Sequence, residues 1–501
     1  MKLGQLLNGI PSYHLSGDPE QEIQGLAYDS RQVKPGYLFV ALKGHRQNGH
    51  HYIQNAVQNG AVALVTEELQ EPMDKVATVS VTNSRETLSK LASQFYGHPF
   101  KGINMIGITG TNGKTTTSYL LESILSSAGA RPGVIGTINY RFMGKTYPAP
   151  VTTPESLDLM RLLREMADGK ATHVILEVSS HALHQNRTGD CPFRVAVFTN
   201  FSRDHLDYHK TLGEYFQAKS LLFRKLKKNG SGGRTNAIIN TDDPKGEELV
   251  RCTNADVITY GLEQRSHVRA DSISTDKNGI RARLITPVGE KEIQSTLIGK
   301  INLYNILAAS AAAISLGVDL NAVAEGIEKL RVVPGRLELV PNGRGLMLVV
   351  DYAHTPDALL KTLETLIPLA KGRLITVFGC GGDRDKGKRY EMGLIAGENS
   401  DVVFATSDNP RSEDPDSIIA QIEEGLKRSG LNKKLWSSAS KSMEKGYFIE
   451  VDRRKAISNA ISMANEKDLV LIAGKGHEDY QIIGGKIRYF DDRKEAASAA
   501  S

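Results

Sequence analysis

The chain has 501 residues, which is too long for a single hydrophobic core and predicts about three domains. Its composition, 40% hydrophobic and 24% charged residues, is typical of a soluble globular protein, and a net charge of only +5 argues against nucleic acid or a membrane as a partner. Three widely separated cysteines, an N-terminus without a signal-peptide pattern and the lack of a bilayer-length apolar run predict a cytoplasmic protein without disulfides.

Residues 1–98 predict a small α/β domain. Tyr37–Leu42 and Ala61–Thr66 have the composition of strands, and a helical pattern over His51–Asn59 lies between them. The tripeptide Gly97-His98-Pro99 ends regular structure, because glycine and proline together interrupt helices and strands. We therefore expect a domain boundary there.

Residues 99–334 predict a mostly parallel sheet covered by helices. The apolar run Ile103–Ile108 leads into a glycine-rich turn and a helical pattern over Lys114–Ala128. Further buried strands are predicted at Gly133–Ile138, His173–Leu176, Val195–Phe198, Ala237–Asn240 and Val257–Tyr260. Strands that alternate with helices favour a parallel sheet. A hairpin turn at Asp276–Gly279 indicates an antiparallel excursion over residues 268–298, and the alanine-rich helix Asn302–Leu316 ends at Gly317.

Residues 335–501 repeat the alternation of strands and helices. Strands are predicted at Leu346–Val350, Leu374–Phe378, Val402–Thr406 and Leu469–Ile472. This pattern indicates a doubly wound, Rossmann-like sheet. The predicted fold class is thus α/β, with three domains: a small N-terminal one, a central one with a P-loop-type sheet, and a C-terminal doubly wound one.

The strongest local signal is a glycine-rich loop between an apolar strand and a helix. It consists of Gly110, Thr111, Asn112, Gly113, Lys114, Thr115 and Thr116. In this context backbone N–H groups and the helix N-terminus bind phosphates, Lys114 neutralises the β- and γ-phosphates, and the Thr115 hydroxyl binds Mg²⁺. The general motif expects glycine where this chain has Ile108, so an ordinary turn is the alternative interpretation. The loop alone predicts only nucleoside triphosphate binding, which leaves kinase, ATPase, transporter subunit and ligase open.

Further motifs narrow the choice among these classes of nucleotide-binding protein. In order they are Glu177–Leu183, Thr199–His209, Asn302–Asn305, Pro334–Glu338 and Asp351–His354. Together with the loop, which matches the family's own variant, they resemble the Mur ligases over nearly the whole chain. Other segments resemble the branch that adds the third peptide residue: Asp29–Arg31, Pro35-Gly36, Gly44–Arg46, Thr152–Pro154, Gly379–Arg384, Asp408–Arg411 and Gly474–Glu478. The family commonly has Asp at the position of Asn48.

The resemblance implies an ATP-dependent ligase. A carboxylate is activated as an acyl phosphate, and an amine then displaces the phosphate. The implied catalytic residues are Lys114, Glu177, His205 and Lys219, and two Mg²⁺ ions are implied at Thr115, Glu177, His205 and a carbamylated Lys219. By residue type alone, Glu177 could be a solvated or capping carboxylate, His205 a structural histidine and Lys219 a solvated lysine on a helix.

The resemblance also implies binding residues. For ATP these are the loop, Asn305 on the adenine side, Arg336 on the phosphates and Asp351 on the ribose. For UDP-N-acetylmuramoyl-L-alanyl-D-glutamate they are Ser30, His45, Arg46 and Gln47 at the uridine, and Thr152, Thr153, Ser179, Gln185 and Arg187 at the sugar, diphosphate and peptide. For meso-diaminopimelate they are Arg384, Asp408, Asn409, Pro410, Arg411, Gly474 and Glu478.

Arg411 carries the implied choice of amino acid. Diaminopimelate differs from lysine by one more carboxylate, and a guanidinium can bind a carboxylate through two parallel hydrogen bonds. The expected partners are these small molecules, and we expect a monomer. The alternatives are a lysine-adding enzyme of the same branch, a sibling ligase of the peptide pathway or of folate polyglutamylation, and a non-catalytic nucleotide-binding protein of this fold.

Overall fold

The computed structural model describes residues 1–44, 47–68, 73, 75–227, 229–230, 233–436 and 445–501. Near the N-terminus a five-stranded sheet has the order His14–Ser16, Ala77–Ser80, Ala61–Thr66, Tyr37–Val40, Gly25–Ala27. The other four strands are parallel to one another, whereas His14–Ser16 pairs antiparallel at one edge. The helices of this part are Leu3–Leu6, Ile53–Gln58 and Ser84–Phe95, with short 3₁₀ turns at Ser30–Gln32 and Gly49–Tyr52.

The central sheet has eight strands. Their order is Asp256–Tyr260, Asn236–Asn240, Phe193–Phe198, Asn104–Thr109, His173–Glu177, Pro132–Ile135, Asn139–Phe142, Lys145–Pro148. The first six are parallel, and the last two form an antiparallel hairpin that was not predicted. The predicted strand Gly133–Ile138 is too long, because the chain leaves the sheet after Ile135 and turns toward Glu177, which accepts a hydrogen bond from the Thr137 N–H.

Helices cover both faces of the central sheet. They are Lys114–Ser127, Ser156–Asp168, Ser180–His184, Leu206–His209, Leu212–Arg224, Gly246–Cys252, Lys300–Ser315 and Leu320–Lys329. Neighbouring residues of one strand belong to different cores: Met105 packs with one apolar cluster, and Ile106 and Ile108 pack with the helix Lys114–Ser127 in another. The predicted antiparallel excursion is a three-stranded sheet of Arg269–Asp276, Gly279–Thr286 and Gly289–Ser295. The two-residue strands Asn229–Gly230 and Gly233–Arg234 pair antiparallel with each other.

The C-terminal sheet has six strands. Their order is Glu338–Leu339, Met347–Asp351, Leu469–Ala473, Leu374–Phe378, Val402–Ala405, Gly446–Ile449, and only the edge strand Glu338–Leu339 runs antiparallel. The helices are Pro356–Leu366, Gly387–Asn399, Pro415–Arg428, Arg453–Met463 and Asp492–Ala499, with a 3₁₀ turn at Ile367–Leu369 and a hairpin of Tyr480–Ile483 and Lys486–Tyr489. Apolar clusters on both faces confirm the doubly wound α/β prediction. Among the described helices, none is both long and apolar enough to cross a bilayer.

A buried ion pair fastens the last helix to this sheet. The Arg453 guanidinium donates to both carboxylate oxygens of Asp492 at 2.8 and 2.7 Å and to the Ala473 carbonyl at 3.0 Å, and both charged side chains are fully buried. Arg453→Met is expected to lower the free energy of unfolding by about 3–5 kcal/mol, because it leaves the Asp492 carboxylate buried without its partner. Thermal melting measures the effect. The double variant Arg453→Met/Asp492→Leu should regain most of the loss, and equal instability of the two variants would contradict this account.

Candidate active site

A cavity of about 760 Å³ lies at the carboxyl ends of the parallel strands of the central sheet. It is lined by the glycine-rich loop, by the residues that follow the strands ending at Glu177, Phe198 and Asn240, and by the segment that follows the strand Met347–Asp351. Active sites of parallel sheets occupy this edge, because the strand ends leave a crevice there. The cavity therefore brings together residues from the second and third predicted segments.

The glycine-rich loop is held by Asn200. The Asn200 carbonyl accepts a hydrogen bond from the Thr111 N–H at 2.8 Å, and its side-chain oxygen accepts one from the Asn112 N–H at 2.9 Å. Gly113 has a φ of +86° directly before the helix Lys114–Ser127, and a Cβ there would overlap the Asn305 side chain. Ile108, the departure from the general motif, is a buried residue of the strand Asn104–Thr109. The loop thus begins only at Gly110.

Lys114 curls back over this loop. Its ammonium donates to the carbonyls of Gly110 and Thr111, both at 2.9 Å. Burial lowers the pKa of Lys114, and the nearby carboxylates of Glu177 and Asp204 oppose that effect. A cation at the N-terminus of a helix is suited to an anionic phosphate group.

Glu177 ends its strand inside a shell of hydroxyl groups. Its Oε2 accepts from the hydroxyls of Thr115 at 2.9 Å and Thr137 at 2.7 Å, and its Oε1 accepts from the Thr137 N–H at 3.2 Å and from the Ser118 hydroxyl at 3.4 Å. The side chain is buried, with a residue exposure of 1%. A solvated glutamate is therefore excluded. Sequence reasoning missed Ser118 and Thr137, because an isolated hydroxyl residue carries no motif.

Gly136 is the residue that leaves room for this carboxylate. A Cβ at position 136 would overlap the Glu177 Oε1. Gly136→Ala is expected to lower kcat by about 10- to 100-fold, because the family resemblance implies a catalytic Glu177 and a displacement of about 1 Å in a catalytic group has an effect of that size. Gly213→Ala is the matched control, since the nearest atom to a Cβ there is the Thr211 hydroxyl at 3.8 Å. Steady-state kinetics with thermal melting measures both variants, and equal activities in the two would contradict the role of Gly136.

Lys219 is buried rather than solvated, so the interpretation from residue type alone is wrong. It lies on the helix Leu212–Arg224 with an exposure of 1%, donates to the Gly110 carbonyl at 2.7 Å and stands 4.4 Å from the centre of the Tyr215 ring. Burial, and next the charge of Lys114, hold the pKa of Lys219 well below its usual value. The Lys219 nitrogen thus lies against the glycine-rich loop, in surroundings that disfavour its protonated form.

His205 lies on the same side of the cavity. It has a φ of +53° at the start of the short helix Leu206–His209, and its Nε2 is 3.4 Å from the Asp204 carboxylate. Its ring packs edge-on against His181, with ring centres 4.8 Å apart. Burial lowers the pKa of His205 to about 4, with Asp204 opposing the shift. The imidazole is therefore neutral at physiological pH, which is the form that binds metal ions.

The three further residues implied for ATP all line the cavity. Arg336 donates to the Thr115 hydroxyl at 3.3 Å and covers the Tyr352 ring at 4.6 Å. Asp351 is buried and accepts from the N–H groups of Leu337 and Ala353, both at 2.8 Å, so it braces the segment that carries Arg336. Asn305 donates to Asn302 at 3.1 Å beside Gly113.

Residues implied for the sugar, diphosphate and peptide form one connected group. Arg187 donates to the Thr153 carbonyl at 2.8 Å and to the Gln185 side chain at 3.0 and 2.7 Å. The Thr153 hydroxyl donates to the Glu177 carbonyl at 2.8 Å and accepts from the Ser179 N–H at 3.0 Å. Thr152 shares a hydrogen bond of 3.1 Å with Thr137. The structure therefore brings these five implied residues together beside Glu177.

Of the residues implied for the uridine, the two that the structure describes, Ser30 and Gln47, do not line this cavity. Ser30 is buried at the start of a 3₁₀ turn, where its carbonyl accepts from the Asn59 side chain at 2.9 Å. Gln47 is exposed, and its carbonyl accepts from the Gly44 N–H at 2.9 Å. His45 and Arg46 lie outside the described residues.

The residues implied for the added amino acid form a second group, which we call the amino-acid pocket: Asp408–Arg411 together with Gly474–Glu478. Arg411 has a φ of +55° and donates to the Gly382 carbonyl at 2.7 Å. Asn409 donates to the Glu478 Oε2 at 2.8 Å. Gly474 has a φ of +114°, and a Cβ there would lie 2.7 Å from the Asp408 carboxylate. Arg384 is exposed at the rim, where its side chain and that of Arg411 lie against Gly381.

A contact that the sequence did not indicate connects the nucleotide loop to the C-terminal sheet. The Asp357 carboxylate, in the first turn of the helix Pro356–Leu366, accepts from the Asn112 side chain at 2.9 Å and from the Ser202 hydroxyl at 2.6 Å. No spacing signal links residues so far apart in the chain. The loop is thus held from both sides of the cavity.

Comparison with known proteins assigns the family. Three family models match: the Mur ligase family catalytic domain over residues 22–96, the Mur ligase middle domain over residues 108–313, and the Mur ligase glutamate ligase domain over residues 335–476. The chain is 48% identical over 501 residues to the UDP-N-acetylmuramoyl-L-alanyl-D-glutamate–2,6-diaminopimelate ligase of Geobacter metallireducens, covering 100% of this chain and 98% of that one. The ligase of the same name from Geobacillus kaustophilus is 44% identical, with 100% and 99% covered.

Solved structures agree with this assignment. A ligase of that name has 33% identity and a TM-score of 0.69 over 100% of this chain and 98% of its own. The UDP-N-acetylmuramoylalanyl-D-glutamyl-2,6-diaminopimelate–D-alanyl-D-alanyl ligase from Acinetobacter baumannii, at 20% identity and a TM-score of 0.64 over 95% of both chains, shares the fold. The chain belongs to the Mur ligase family.

Proposed function

We propose that this chain is an ATP-dependent ligase that joins meso-diaminopimelate to the D-glutamate of UDP-N-acetylmuramoyl-L-alanyl-D-glutamate, a step of peptidoglycan synthesis. The observation that carries the proposal is the amino-acid pocket, where Asn409 donates to the Glu478 carboxylate and Arg411, two residues further along the chain, supplies a guanidinium. An amino acid with both an ammonium and a carboxylate at its far end matches this pair. The names of the relatives that match the whole chain support the same substrates.

The reaction proposed has two displacements. A carboxylate oxygen of the substrate attacks the γ-phosphorus of ATP, the bond to ADP breaks, and an acyl phosphate forms. The amine of the added amino acid then attacks the acyl carbon, phosphate leaves, and the amine loses a proton. Lys114 and the loop N–H groups neutralise the charge that accumulates on the transferred phosphoryl group. Arg336, which contacts Thr115, adds a second cation beside the phosphates.

We propose two Mg²⁺ ions at the donor groups around the loop. Glu177 and the Thr115 hydroxyl, 2.9 Å apart, offer the oxygen ligands that Mg²⁺ prefers, and the neutral imidazole of His205 lies near Lys219 on the other side. When bound, the ions neutralise phosphate charge that would otherwise repel the attacking carboxylate. Glu177, Thr115, His205 and Lys219 would hold them.

Lys219 is proposed to act as a carbamate. In its unprotonated form the amine can attack CO₂, forming an N–C bond and releasing one proton, and the product is an anionic oxygen ligand. The lowered pKa of the buried amine favours this reaction, since an ammonium group has no lone pair for the attack.

The remaining binding roles follow the same proposal. Asn305 would contact the adenine and Asp351 the ribose, while Ser30, His45, Arg46 and Gln47 would bind the uridine. Thr152, Thr153, Ser179, Gln185 and Arg187 would bind the sugar, diphosphate and peptide.

We propose domains at residues 1–98, 99–334 and 335–501, and a monomer that works in the cytoplasm on these small molecules.

Phosphate release by the purified chain tests the function. The assay contains Mg-ATP, bicarbonate and UDP-N-acetylmuramoyl-L-alanyl-D-glutamate, with meso-diaminopimelate or L-lysine added in parallel. Release with diaminopimelate alone is the expected result. Release with lysine alone would keep the ligase and overturn the choice of amino acid, and no release with either would favour a sibling ligase or a non-catalytic nucleotide-binding protein.

A further inference from the structure

A lysine that sequence reasoning did not single out lies at the centre of the amino-acid pocket. Lys475 is fully buried, with an exposure of 0%. Its ammonium donates to the Glu478 Oε2 at 3.2 Å and to the Asn409 side-chain oxygen at 3.3 Å, and it lies 5.4 Å from the centre of the Tyr480 ring. Lys475 therefore joins the two chain segments that form the pocket.

The hydrogen bonds of Glu478 divide between its two oxygens. Its Oε2 accepts from both Lys475 and Asn409, whereas its Oε1 has no hydrogen-bond partner among the described residues. Asn409 is fixed in turn, because its side-chain oxygen also accepts from the Ile482 N–H at 3.0 Å. One carboxylate oxygen is thus held by the protein, and the other is left to accept a hydrogen bond from a ligand.

The surroundings of Glu478 work on balance against its ionisation. Burial and the nearby Asp408 carboxylate raise the pKa of Glu478, while the Lys475 ammonium lowers it. The guanidinium of Arg453 and the phenols of Tyr352 and Tyr480 also interact with it. Lys475 is the cation that donates directly to the Glu478 carboxylate, since Arg453 is paired with Asp492.

We propose that Lys475 is a positioning residue for the amino-acid substrate: its buried ammonium keeps Glu478 ionised and oriented, so that the free Glu478 oxygen accepts the ammonium group of that substrate. This inference rests on the proposed function and deepens it. Lys475 itself contacts Glu478 and Asn409, and it acts through them.

Steady-state kinetics of Lys475→Met tests the role. The KM for meso-diaminopimelate is expected to rise about 10- to 100-fold at neutral pH, the size of one hydrogen bond to a charged group, because Glu478 loses its partner. The KM for ATP and for the UDP-linked substrate should stay within about twofold of the wild-type values, since neither is proposed to bind in this pocket. Lys486→Met, on the exposed strand Lys486–Tyr489, is the matched control and should behave as the wild type.

The pH profile separates this role from a merely structural one. Without the ammonium, the pKa of Glu478 moves further up, and Glu478 becomes neutral as the pH falls through that value. The ratio of variant to wild-type KM for diaminopimelate should therefore grow as the pH is lowered from about 9 to about 6. Lys475→Arg, which keeps the charge, should remove the pH dependence. In a Glu478→Gln background, Lys475→Met should add little, because the two act as one unit.

The outcomes distinguish the two proposals. In the first case the wild type turns over diaminopimelate, but Lys475→Met has an unchanged KM or a rise in KM that is the same at every pH. That result would overturn the role of Lys475 and leave the function intact. A wild-type chain that releases no phosphate with any amino acid would overturn the function, and the role of Lys475 with it.

Discussion

Lys219→Ala is expected to lower kcat by at least about 10³-fold, a loss that added bicarbonate does not restore. The amine is buried and donates to the Gly110 carbonyl of the nucleotide loop, and burial and the charge of Lys114 hold its pKa well below the usual value. Alanine removes the nitrogen that is proposed to take up CO₂, and with it an anionic ligand for a metal ion beside the transferred phosphoryl group. The rate of phosphate release under saturating substrates measures the loss.

Lys225→Ala is the control for this variant. Lys225 follows the same helix, is exposed, and donates to Asn186 instead of the loop, so its removal should leave kcat within about twofold. Isotope-labelled bicarbonate should give a carbamate signal by NMR in the wild type and in Lys225→Ala, and none in Lys219→Ala. Turnover near the wild-type rate in Lys219→Ala would contradict the assignment, as would a carbamate signal that survives the substitution.

The buried parallel strands could be predicted from the sequence because each is an apolar run between turn signals. The strand Leu374–Phe378 has the predicted bounds, and Asn104–Thr109 differs by one residue at each end. The hairpin Asn139–Phe142 and Lys145–Pro148 was missed, because it is an edge of the sheet whose last strand is fully exposed and carries no apolar pattern.

The site residues could be predicted from the sequence only where they belong to a sequence motif. The glycine-rich loop shows its function in its sequence, because phosphate binding needs glycine and lysine at fixed positions. Lys219 does not show its function in this way. Its helix mixes polar and apolar residues, and only the packing of Tyr215 against the nucleotide loop shows that this lysine is buried. Lys475 and Asp357 were not predicted from the sequence for a related reason. Their partners, Asn409 and Asn112, lie far away in the sequence and meet them only in the folded chain.

Among the residues of the amino-acid pocket, Arg411 has the largest expected effect on which amino acid is added, because its guanidinium is positively charged. Its Nη1 is held by the Gly382 carbonyl at 2.7 Å, and its backbone N–H donates to the Ile482 carbonyl at 3.0 Å, so the side chain has a fixed direction. Among the described residues, its Nε and Nη2 make no hydrogen bond, which leaves two donors for a carboxylate. Lysine as a substrate would leave this guanidinium without its partner, which has a high energetic cost.

Arg411→Asn is therefore expected to lower kcat/KM for meso-diaminopimelate by about 10²- to 10³-fold while kcat/KM for L-lysine stays the same or rises. Asparagine suits the test because it tolerates the φ of +55° that position 411 adopts, so the backbone is kept. Arg411→Lys is the matched control: it keeps the charge and loses the paired hydrogen bonds, and it should lie between the wild type and Arg411→Asn. Parallel phosphate-release assays with the two amino acids measure the ratio. If Arg411→Asn retained the wild-type preference for diaminopimelate, the second carboxylate would have to be recognised by another residue, and Arg384, whose side chain also lies against Gly381, would be the next cation to substitute.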